Sequence, residues 1–210
     1  MIASVVLWCS VVGASQEDAV LLPPGQTRLA DLGGYRVGYV YTDGRSGVMP
    51  PGWTGHFHGT TGISYTVFGH QDGKECLLIH CPWRRGTGIT YAEYVLQLPE
   101  IRPIVLELSI AMKNDVARPD RSDGCQFRVC VRPAGGSEQV LVNEHYARAE
   151  WKPFRCDLTP HAGRQILLRL ETGPGPKGNA SWDYAFFGDP QIVVGEERTA
   201  PPFRPIWDLK

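Results

Sequence analysis

The chain has 210 residues, a length that fits one globular domain better than two. It carries 21 basic and 22 acidic residues, so the sequence offers no basic surface for nucleic acid. Glycine (24 residues) and proline (17 residues) together make up about a fifth of the chain. Because both residue types destabilise the interior of a helix, the composition predicts a protein rich in strands and loops.

The N-terminal residues are predicted to form a signal peptide. The apolar run from Ile2 to Val12 is too short to span a bilayer, and Gly13-Ala14-Ser15 then precedes a polar stretch, as at a signal-peptidase site. No basic residue precedes Arg28, and a buried N-terminal strand is the alternative. We therefore expect a secreted or periplasmic protein without a membrane span. The expected organisation is a signal peptide over 1–15, a single β-sandwich domain over 16–195 and a proline-rich tail over 196–210.

Beyond the leader, short runs of β-forming residues alternate with turn residues. From 104 to 112 every even position is apolar, and from 125 to 131 every odd position is apolar, with Gln126 and Arg128 between them. One apolar face and one solvent-exposed face are typical of antiparallel sheets packed on a single core. The pattern predicts an all-β, antiparallel β-sandwich of the jelly-roll kind. The predicted strands are Tyr35–Tyr41, Gly62–Phe68, Glu75–His80, Thr90–Leu98, Ile104–Met112, Gln126–Arg132, Gln139–Asn143, Phe154–Leu158, Gln165–Glu171 and Ala185–Val194.

Little helix is expected. Thr159-Pro160-His161 predicts a single turn, with Thr159 as the N-cap and Gly163 ending it. Residues Asn143–Lys152 form either a short helix or a loop lined by Tyr146 and Trp151.

The five cysteines beyond the leader do not form the framework of a disulfide-rich protein. The members of the pairs Cys76/Cys81 and Cys125/Cys130 lie five positions apart in strand-like sequence, so each pair faces opposite sides of its strand. Neither a CxxC pair nor a zinc-type spacing occurs. We expect these cysteines, with Cys156, to pack mostly as small hydrophobic residues.

No set of catalytic residues can be recognised. The GxGxxG match from Gly173 to Gly178 contains two prolines, which lack the amide groups that a phosphate site needs. A GxSxG elbow is absent, and the spacing of a carboxylate pair for glycoside cleavage is set by the fold. A protein without catalytic activity is therefore expected. The alternative is a jelly-roll polysaccharide hydrolase or lyase that uses His56, His58 or a carboxylate.

Two metal-binding hypotheses arise. His56-Phe57-His58 places two imidazoles on one face of an extended segment, as in cupin-type metal sites, although the companion glutamate is missing. Hydrogen bonding to a ligand is the alternative role for these histidines. Asp183 and Asp189 flank an aromatic run, where they either cap turns by accepting backbone amides or bind a structural calcium ion.

Residues 88–194 resemble a known group of modules. The sequence contains, in order, Ser122-Asp-Gly-Cys-Gln-Phe-Arg-Val, Asp157-Leu-Thr-Pro-His-Ala-Gly, Ile166-Leu-Leu-Arg-Leu-Glu-Thr and Asp183-Tyr-Ala-Phe-Phe-Gly-Asp-Pro-Gln-Ile. This succession is similar to galactose-binding-like β-sandwiches, and in particular to the NPCBM-type modules attached to glycoside hydrolases such as family 98. Phe187 stands where that family often has tryptophan.

The resemblance implies a lectin-like site in which loop aromatics cover the C–H face of a sugar and polar groups bond its hydroxyls. By residue type, the candidates are Trp53, His56, His58, Trp83, Arg84, Arg85, Tyr146 and Trp151. We expect a secreted, non-catalytic glycan-recognition module whose partner is a carbohydrate or polysaccharide. A protein-interaction or envelope module without a sugar site is a further alternative.

Overall fold

The computed structural model describes residues 19–195, which fold into a sandwich of two sheets. The predicted leader (1–15) and proline-rich tail (196–210) lie outside the described residues. The described helical segments are two 3-10 turns, Leu29–Asp31 and Thr159–His161. The strands are β1 (Val20–Leu21), β2 (Gly25–Arg28), β3 (Arg36–Tyr41), β4 (Ser46–Val48), β5 (Ser64–Gln71), β6 (Lys74–His80), β7 (Gly88–Gln97), β8 (Ile104–Met112), β9 (Cys125–Pro133), β10 (Gln139–Tyr146), β11 (Lys152–Asp157), β12 (Gln165–Pro174) and β13 (Ala185–Val194).

Strands from distant parts of the chain alternate within each sheet. Sheet A has the order β10-β9-β12-β7-β3-β4, and β1 also pairs with β7. Sheet B has the order β11-β8-β13-β6-β5, and β2 also pairs with β13. Apart from the short parallel contact of β1 with β7, the strands of both sheets pair in antiparallel fashion. The all-β antiparallel sandwich predicted from the sequence is confirmed.

An apolar core fills the space between the two sheets, as the period-two pattern requires. In β8 the alternate residues Ile104, Leu106 and Ile110 are fully buried. Phe127 of sheet A meets Phe187 of sheet B in an edge-to-face contact with ring centroids 5.5 Å apart. Such a pair adds about 0.5–1.5 kcal/mol to the stabilisation from burial alone.

Each predicted strand corresponds to an observed one, and the observed bounds of Ile104–Met112 and Ala185–Val194 are the predicted ones. The sequence pattern does not predict β1, β2 and β4, because strands of two to four residues contain too little periodicity to recognise. Within residues 19–195, no helix is long and apolar enough to cross a lipid bilayer.

Two local predictions need correction. The short helix or loop considered for Asn143–Lys152 is wrong at its start, because β10 continues to Tyr146 and pairs with β9. The turn at Thr159 is confirmed, but Thr159 is its first residue and not its N-cap. The carboxylate of Asp157 accepts the Thr159 amide at 2.8 Å and satisfies that end of the turn.

The five cysteines of the described part are all buried with free thiols. Cys125 and Cys156 belong to the main core, whereas Cys76 packs with Leu78 and Phe186 in a second, smaller cluster. Burial raises the pKa of Cys76 to about 11, so this thiol is uncharged at neutral pH.

A bulge divides β13 into two halves that have different neighbours. Phe186–Gly188 pair with β6, Gln191–Val194 pair with β2, and the register with β8 shifts between the two halves. Asp189 lies in the bulge with a φ of 44°, a conformation that aspartate tolerates. Its Oδ1 accepts a hydrogen bond from the Glu75 amide at 3.0 Å. Because β2 and β6 lie along the same edge of β13, the bulge marks a gap between them.

A ladder of alternating charges crosses the outer face of sheet A. Glu93 of β7 and Glu171 of β12 are both buried and both bind the guanidinium of Arg169. Glu93 also lies 3.3 Å from Arg36, and Glu171 lies 2.9 Å from Arg128. Four strands are therefore linked side by side through buried or partly buried ion pairs.

Candidate functional site

An open groove of about 800 Å³ crosses the outer face of sheet B at the β13 bulge. Ser109 of β8 and Gly188 of β13 are paired neighbours there. The small side chain of Ser109 and the absence of one at Gly188 leave room above the sheet. The volume lies in the usual range of small-ligand sites. The other lining residues are Gln26, Arg28, His70, Gly73, Lys74, Glu75, Glu107, Leu108, Pro153, Phe154, Arg155, Asp189 and Gln191.

Charged side chains line the groove in pairs of opposite sign. The pairs are Arg28–Glu75, Lys74–Asp189 at 3.7 Å and Arg155–Glu107 at 3.4 Å. The charges of three cations and three carboxylates therefore cancel. The groove has many polar groups but no net formal charge. Such a surface suits an uncharged polar ligand better than an ion.

Two glutamine side chains lie between these ion pairs. Gln26 of β2 and Gln191 of β13 hydrogen-bond to each other, and Gln191 Nε2 donates to Glu107 Oε2 at 3.2 Å. An amide carries two N–H donors and a carbonyl acceptor. These groups therefore complement hydroxyl groups, which both donate and accept.

Trp151 borders the groove at Gly188. The indole Nε1 donates to the Gln71 carbonyl at 2.9 Å and fixes the ring against the sheet. A Cβ atom on Gly188 would lie 2.6 Å from the ring, so the tryptophan requires glycine at this position. Trp151 thus supplies an aromatic surface beside a polar groove.

An aromatic patch lies next to the groove, where β5, β6 and the start of β13 meet. Neighbouring rings in the patch have centroids between 4.0 and 6.3 Å apart. Trp83 is 44% exposed and Phe68 is 36% exposed, so part of the patch faces solvent. Its members are His56, Phe57, Phe68, His80, Trp83 and Tyr184.

Trp83 has two close neighbours. The Arg84 guanidinium lies 4.6 Å from the ring centroid, and Arg84 Nη1 also donates to the Gly59 carbonyl at 2.6 Å. On Gly62, a Cβ atom would lie 2.5 Å from the indole. The exposed ring is therefore held in place, as a stacking platform for a ligand must be.

The structure brings four of the sequence-predicted site residues to this face. His56 and Trp83 are members of the patch, Arg84 covers Trp83, and Trp151 borders the groove. These residues come from three loops that are distant in the sequence, and sheet B collects them on one face.

The other four candidates have structural partners elsewhere. Trp53 packs against the core and contacts His58 edge-on, with ring centroids 6.1 Å apart. The carbonyl of Arg85 accepts a hydrogen bond from Arg45 at 2.7 Å. Tyr146 lies on β10 of sheet A and donates its hydroxyl to a backbone carbonyl at 2.8 Å.

The two histidines of His56-Phe57-His58 do not share a face, because Phe57 has a φ of 53° and interrupts the extended segment. His56 stacks in the patch, whereas His58 Nδ1 bonds the Thr61 hydroxyl at 3.0 Å. Within residues 19–195, no group of three or more His, Cys, Asp or Glu side chains is arranged to hold a metal ion.

Asp183 and Asp189 have separate partners. Asp189 accepts the Glu75 amide in the bulge, in line with the turn-cap interpretation. Asp183 is fully buried before β13, and its Oδ1 accepts the Ser122 hydroxyl at 2.6 Å. Burial raises the pKa of Asp183 to about 7; the Ser122 hydrogen bond opposes this shift and the nearby Asp123 carboxylate adds to it.

Comparison with known proteins finds no family model that matches the chain. An uncharacterised protein of Archaeoglobus fulgidus is 35% identical over 92 residues, which amount to 41% of this chain and 23% of that protein. This chain therefore spans less than a quarter of the length of that relative.

Solved structures similar to this chain include carbohydrate-binding modules. TmCBM61, solved with β-1,4-galactotriose, has 15% identity and a TM-score of 0.43 and covers 63% of this chain and 81% of its own. The CBM22-1 xylan-binding domain of Paenibacillus barcinonensis Xyn10C has 15% identity and a TM-score of 0.40, covering 67% and 85%. The K1 cleaved adhesin domain of Lys-gingipain from Porphyromonas gingivalis has 11% identity and a TM-score of 0.45, covering 82% and 98%.

Proposed function

We propose that this protein is a non-catalytic carbohydrate-binding module that holds a neutral oligosaccharide in the groove on sheet B. The observation that carries the proposal is the lining of the groove, in which three cations, three carboxylates and two amides give many hydrogen-bonding groups without net charge. A neutral sugar offers hydroxyl groups at close intervals and no charge, so it matches such a lining. The proposal includes the resemblance of residues 88–194 to NPCBM-type modules.

Aromatic side chains beside the groove extend the match. The C–H face of a pyranose is apolar and packs against flat rings. Trp151 borders the groove, and the exposed Trp83 and Phe68 lie farther along the same face of the sheet. A chain of several sugar units that starts in the groove can therefore also contact the patch.

One carboxyl group, that of Asp183, is excluded as the acid of a glycosidase in the groove. Glycoside cleavage requires an acid that is still protonated near neutral pH. Among the described residues, the carboxyl group whose pKa rises to about 7 is that of Asp183. This side chain is fully buried and is not part of the groove, so it cannot protonate a sugar bound there.

The predicted leader and the single sandwich domain over 16–195 complete the proposal. An apolar run of Ile2–Val12 followed by small residues supports export, and polysaccharides of cell walls and mucus are found outside the cytoplasm.

The groove variant Gln26→Ala/Gln191→Ala tests the location of the site. The protein is first screened against a panel of polysaccharides and glycans, and the affinity for the best neutral ligand is measured by calorimetry. Loss of two amide contacts is expected to weaken binding by about tenfold or more, since each hydrogen bond contributes roughly 0.5–1.5 kcal/mol. The matched control is Gln139→Ala, which removes an exposed glutamine from sheet A and should leave the affinity unchanged.

A second variant, Trp83→Ala, distinguishes binding in the groove from binding on the aromatic patch. If Trp83→Ala abolishes binding and the double glutamine variant does not, the site lies on the patch and the proposed location is wrong. A panel on which the folded wild-type protein binds no glycan would overturn the function itself.

A further inference from the structure

A second cavity, of about 330 Å³, lies on the outer face of sheet A. Arg132 of β9, Leu167 of β12 and Val95 of β7 line it and form one row across three neighbouring strands. Leu168, the residue after Leu167, belongs to the core between the sheets, so this row faces outward. The cavity is therefore on the opposite side of the sandwich from the groove on sheet B.

The floor of the cavity is apolar. Val95 and Leu167 are 8% and 9% exposed, although they lie on the outer face of the sheet. Residues 133–136, where β9 ends and the turn to β10 begins, form one side of the cavity. Its volume is at the lower end of the range for small-molecule sites. A ligand with one ring or a short acyl chain fits this space and can bury its apolar surface on the floor.

Two arginines supply the charge of the cavity. Arg132 and Arg36 line it, and its lining contains no aspartate or glutamate among the described residues. The strands run in the order β9-β12-β7-β3, so Arg132 on β9 and Arg36 on β3 lie on either side of the apolar floor. The groove on sheet B, by contrast, has equal numbers of cations and carboxylates. The cavity therefore complements an anion and not a neutral ligand.

Arg36 has hydrogen-bonding capacity for such an anion. A guanidinium group has five N–H donors. Within the part of the chain that the structure describes, the ion-pair partner of Arg36 is Glu93, whose Oε2 lies 3.3 Å from Nη2, and the Arg36 Nε is buried without an acceptor. Because the Glu93 carboxylate is so close, a dianion such as phosphate is disfavoured relative to a monoanion.

We propose that this cavity binds a small organic carboxylate with an apolar body, such as an aromatic or aliphatic acid. The carboxylate accepts charge-assisted hydrogen bonds from Arg36 and Arg132, whose planar guanidinium groups match its geometry. The apolar body packs on Val95 and Leu167. The inference does not depend on the proposed sugar site, which lies on the other sheet.

Titration of the full chain with benzoate, followed by NMR of the methyl groups, tests the proposal. Benzoate is expected to shift the methyl signals of Val95 and Leu167 and to show NOE contacts to them. Benzamide, which lacks the charge, and acetate, which lacks the ring, should each bind at least about tenfold more weakly. Contacts to Leu108, which lines the groove on sheet B, in place of Val95 and Leu167 would overturn the proposal.

Arginine variants test the role of charge. Arg132→Gln and Arg36→Gln are each expected to weaken benzoate binding by about tenfold or more, because a charge-assisted hydrogen bond is lost. Arg45→Gln, the control, changes an exposed arginine outside the cavity and should bind as the wild type does. Since Arg36→Gln also removes a partner of the buried Glu93, Arg132→Gln carries the test if that variant fails to fold.

Three results would overturn the proposal. Benzoate does not bind the folded wild type, inorganic phosphate binds as tightly as benzoate, or Arg132→Gln keeps the wild-type affinity. Glycan binding is measured separately without benzoate, so either proposal can fail alone.

Discussion

Replacing Arg169 with methionine is expected to lower the free energy of unfolding by about 3–5 kcal/mol, because it leaves buried carboxylates without their shared cation. The guanidinium of Arg169 bonds Glu93 through Nε at 2.9 Å and Glu171 through Nη1 at 3.1 Å. The ring of Tyr91 covers it at 4.3 Å, which further excludes water. Urea unfolding, with both transition midpoint and slope compared with the wild type, measures the change.

A surface ion pair provides the control for Arg169. Arg45 and Asp43 form a pair at 2.8 Å with side chains 56% and 54% exposed, so Arg45→Met should cost less than about 1 kcal/mol. The double variant Arg169→Met/Glu93→Gln should be more stable than Arg169→Met alone, because one buried negative charge has been removed. Equal effects of Arg169→Met and Arg45→Met would show that the ladder on sheet A contributes no more than exposed pairs do.

The second large effect is a loss of stability at acidic pH caused by His80. This imidazole is 2% exposed in the patch, and its Nδ1 bonds the Cys81 carbonyl at 2.7 Å. Burial lowers its pKa from 6.5 to about 4; the bond to Cys81 opposes the shift and nearby His56 adds to it. Between pH 6.5 and 4 the unfolded chain therefore binds more protons at this site, and stability falls as the pH falls. The full effect is roughly 3 kcal/mol.

The titration of Asp183 changes stability in the opposite direction, so its contribution must be separated from that of His80. Its pKa is raised to about 7 from 3.8, so the folded state binds more protons there, and acidification through this window favours folding. The wild-type stability curve contains both contributions. A difference between two variants that share Asp183 isolates the histidine.

His80→Asn provides that difference, because its amide can donate to the Cys81 carbonyl at every pH. We expect the stability advantage of the wild type over His80→Asn to shrink by roughly 3 kcal/mol between pH 7.5 and pH 4. Val67→Ala, the control, changes an exposed side chain on the neighbouring strand β5 and removes no titratable group, so the same comparison should show no dependence on pH. A constant difference between wild type and His80→Asn would contradict the role of burial.

Several elements of the fold are readable from the sequence because their cause is local. An alternating run and a run of apolar β-forming residues place Ile104–Met112 and Ala185–Val194, respectively, in strands with the observed bounds. The alternation is informative because side chains on a strand point to its two faces in turn. The same rule fails at His56-Phe57-His58, because a single positive φ at Phe57 reverses the expected face. A phenylalanine gives no sign in the sequence that its backbone adopts this conformation.

The groove illustrates what local patterns cannot predict. Gln26, Glu107 and Gln191 lie far apart in the chain and become neighbours only through the pairing of β2 and β8 with β13. Aromatic residues in loops suggested a ligand site, and Trp83 and Trp151 do lie on the face that carries the groove. Isolated glutamines and charged pairs on strands have the same composition as any solvated sheet, so nothing in the sequence distinguishes them.

The sequence alone determined the all-β class and the positions of the main strands along the chain, because these properties depend on residue type and near neighbours. Only the tertiary structure decided which polar groups share a groove and which partner each aspartate binds. Asp183 accepts the Ser122 hydroxyl from the turn before β9, whereas Asp189 accepts the Glu75 amide in the bulge, because each follows the neighbours of its own part of the sheet. Contacts between strands follow from how the sheets pair and pack, which no single segment encodes.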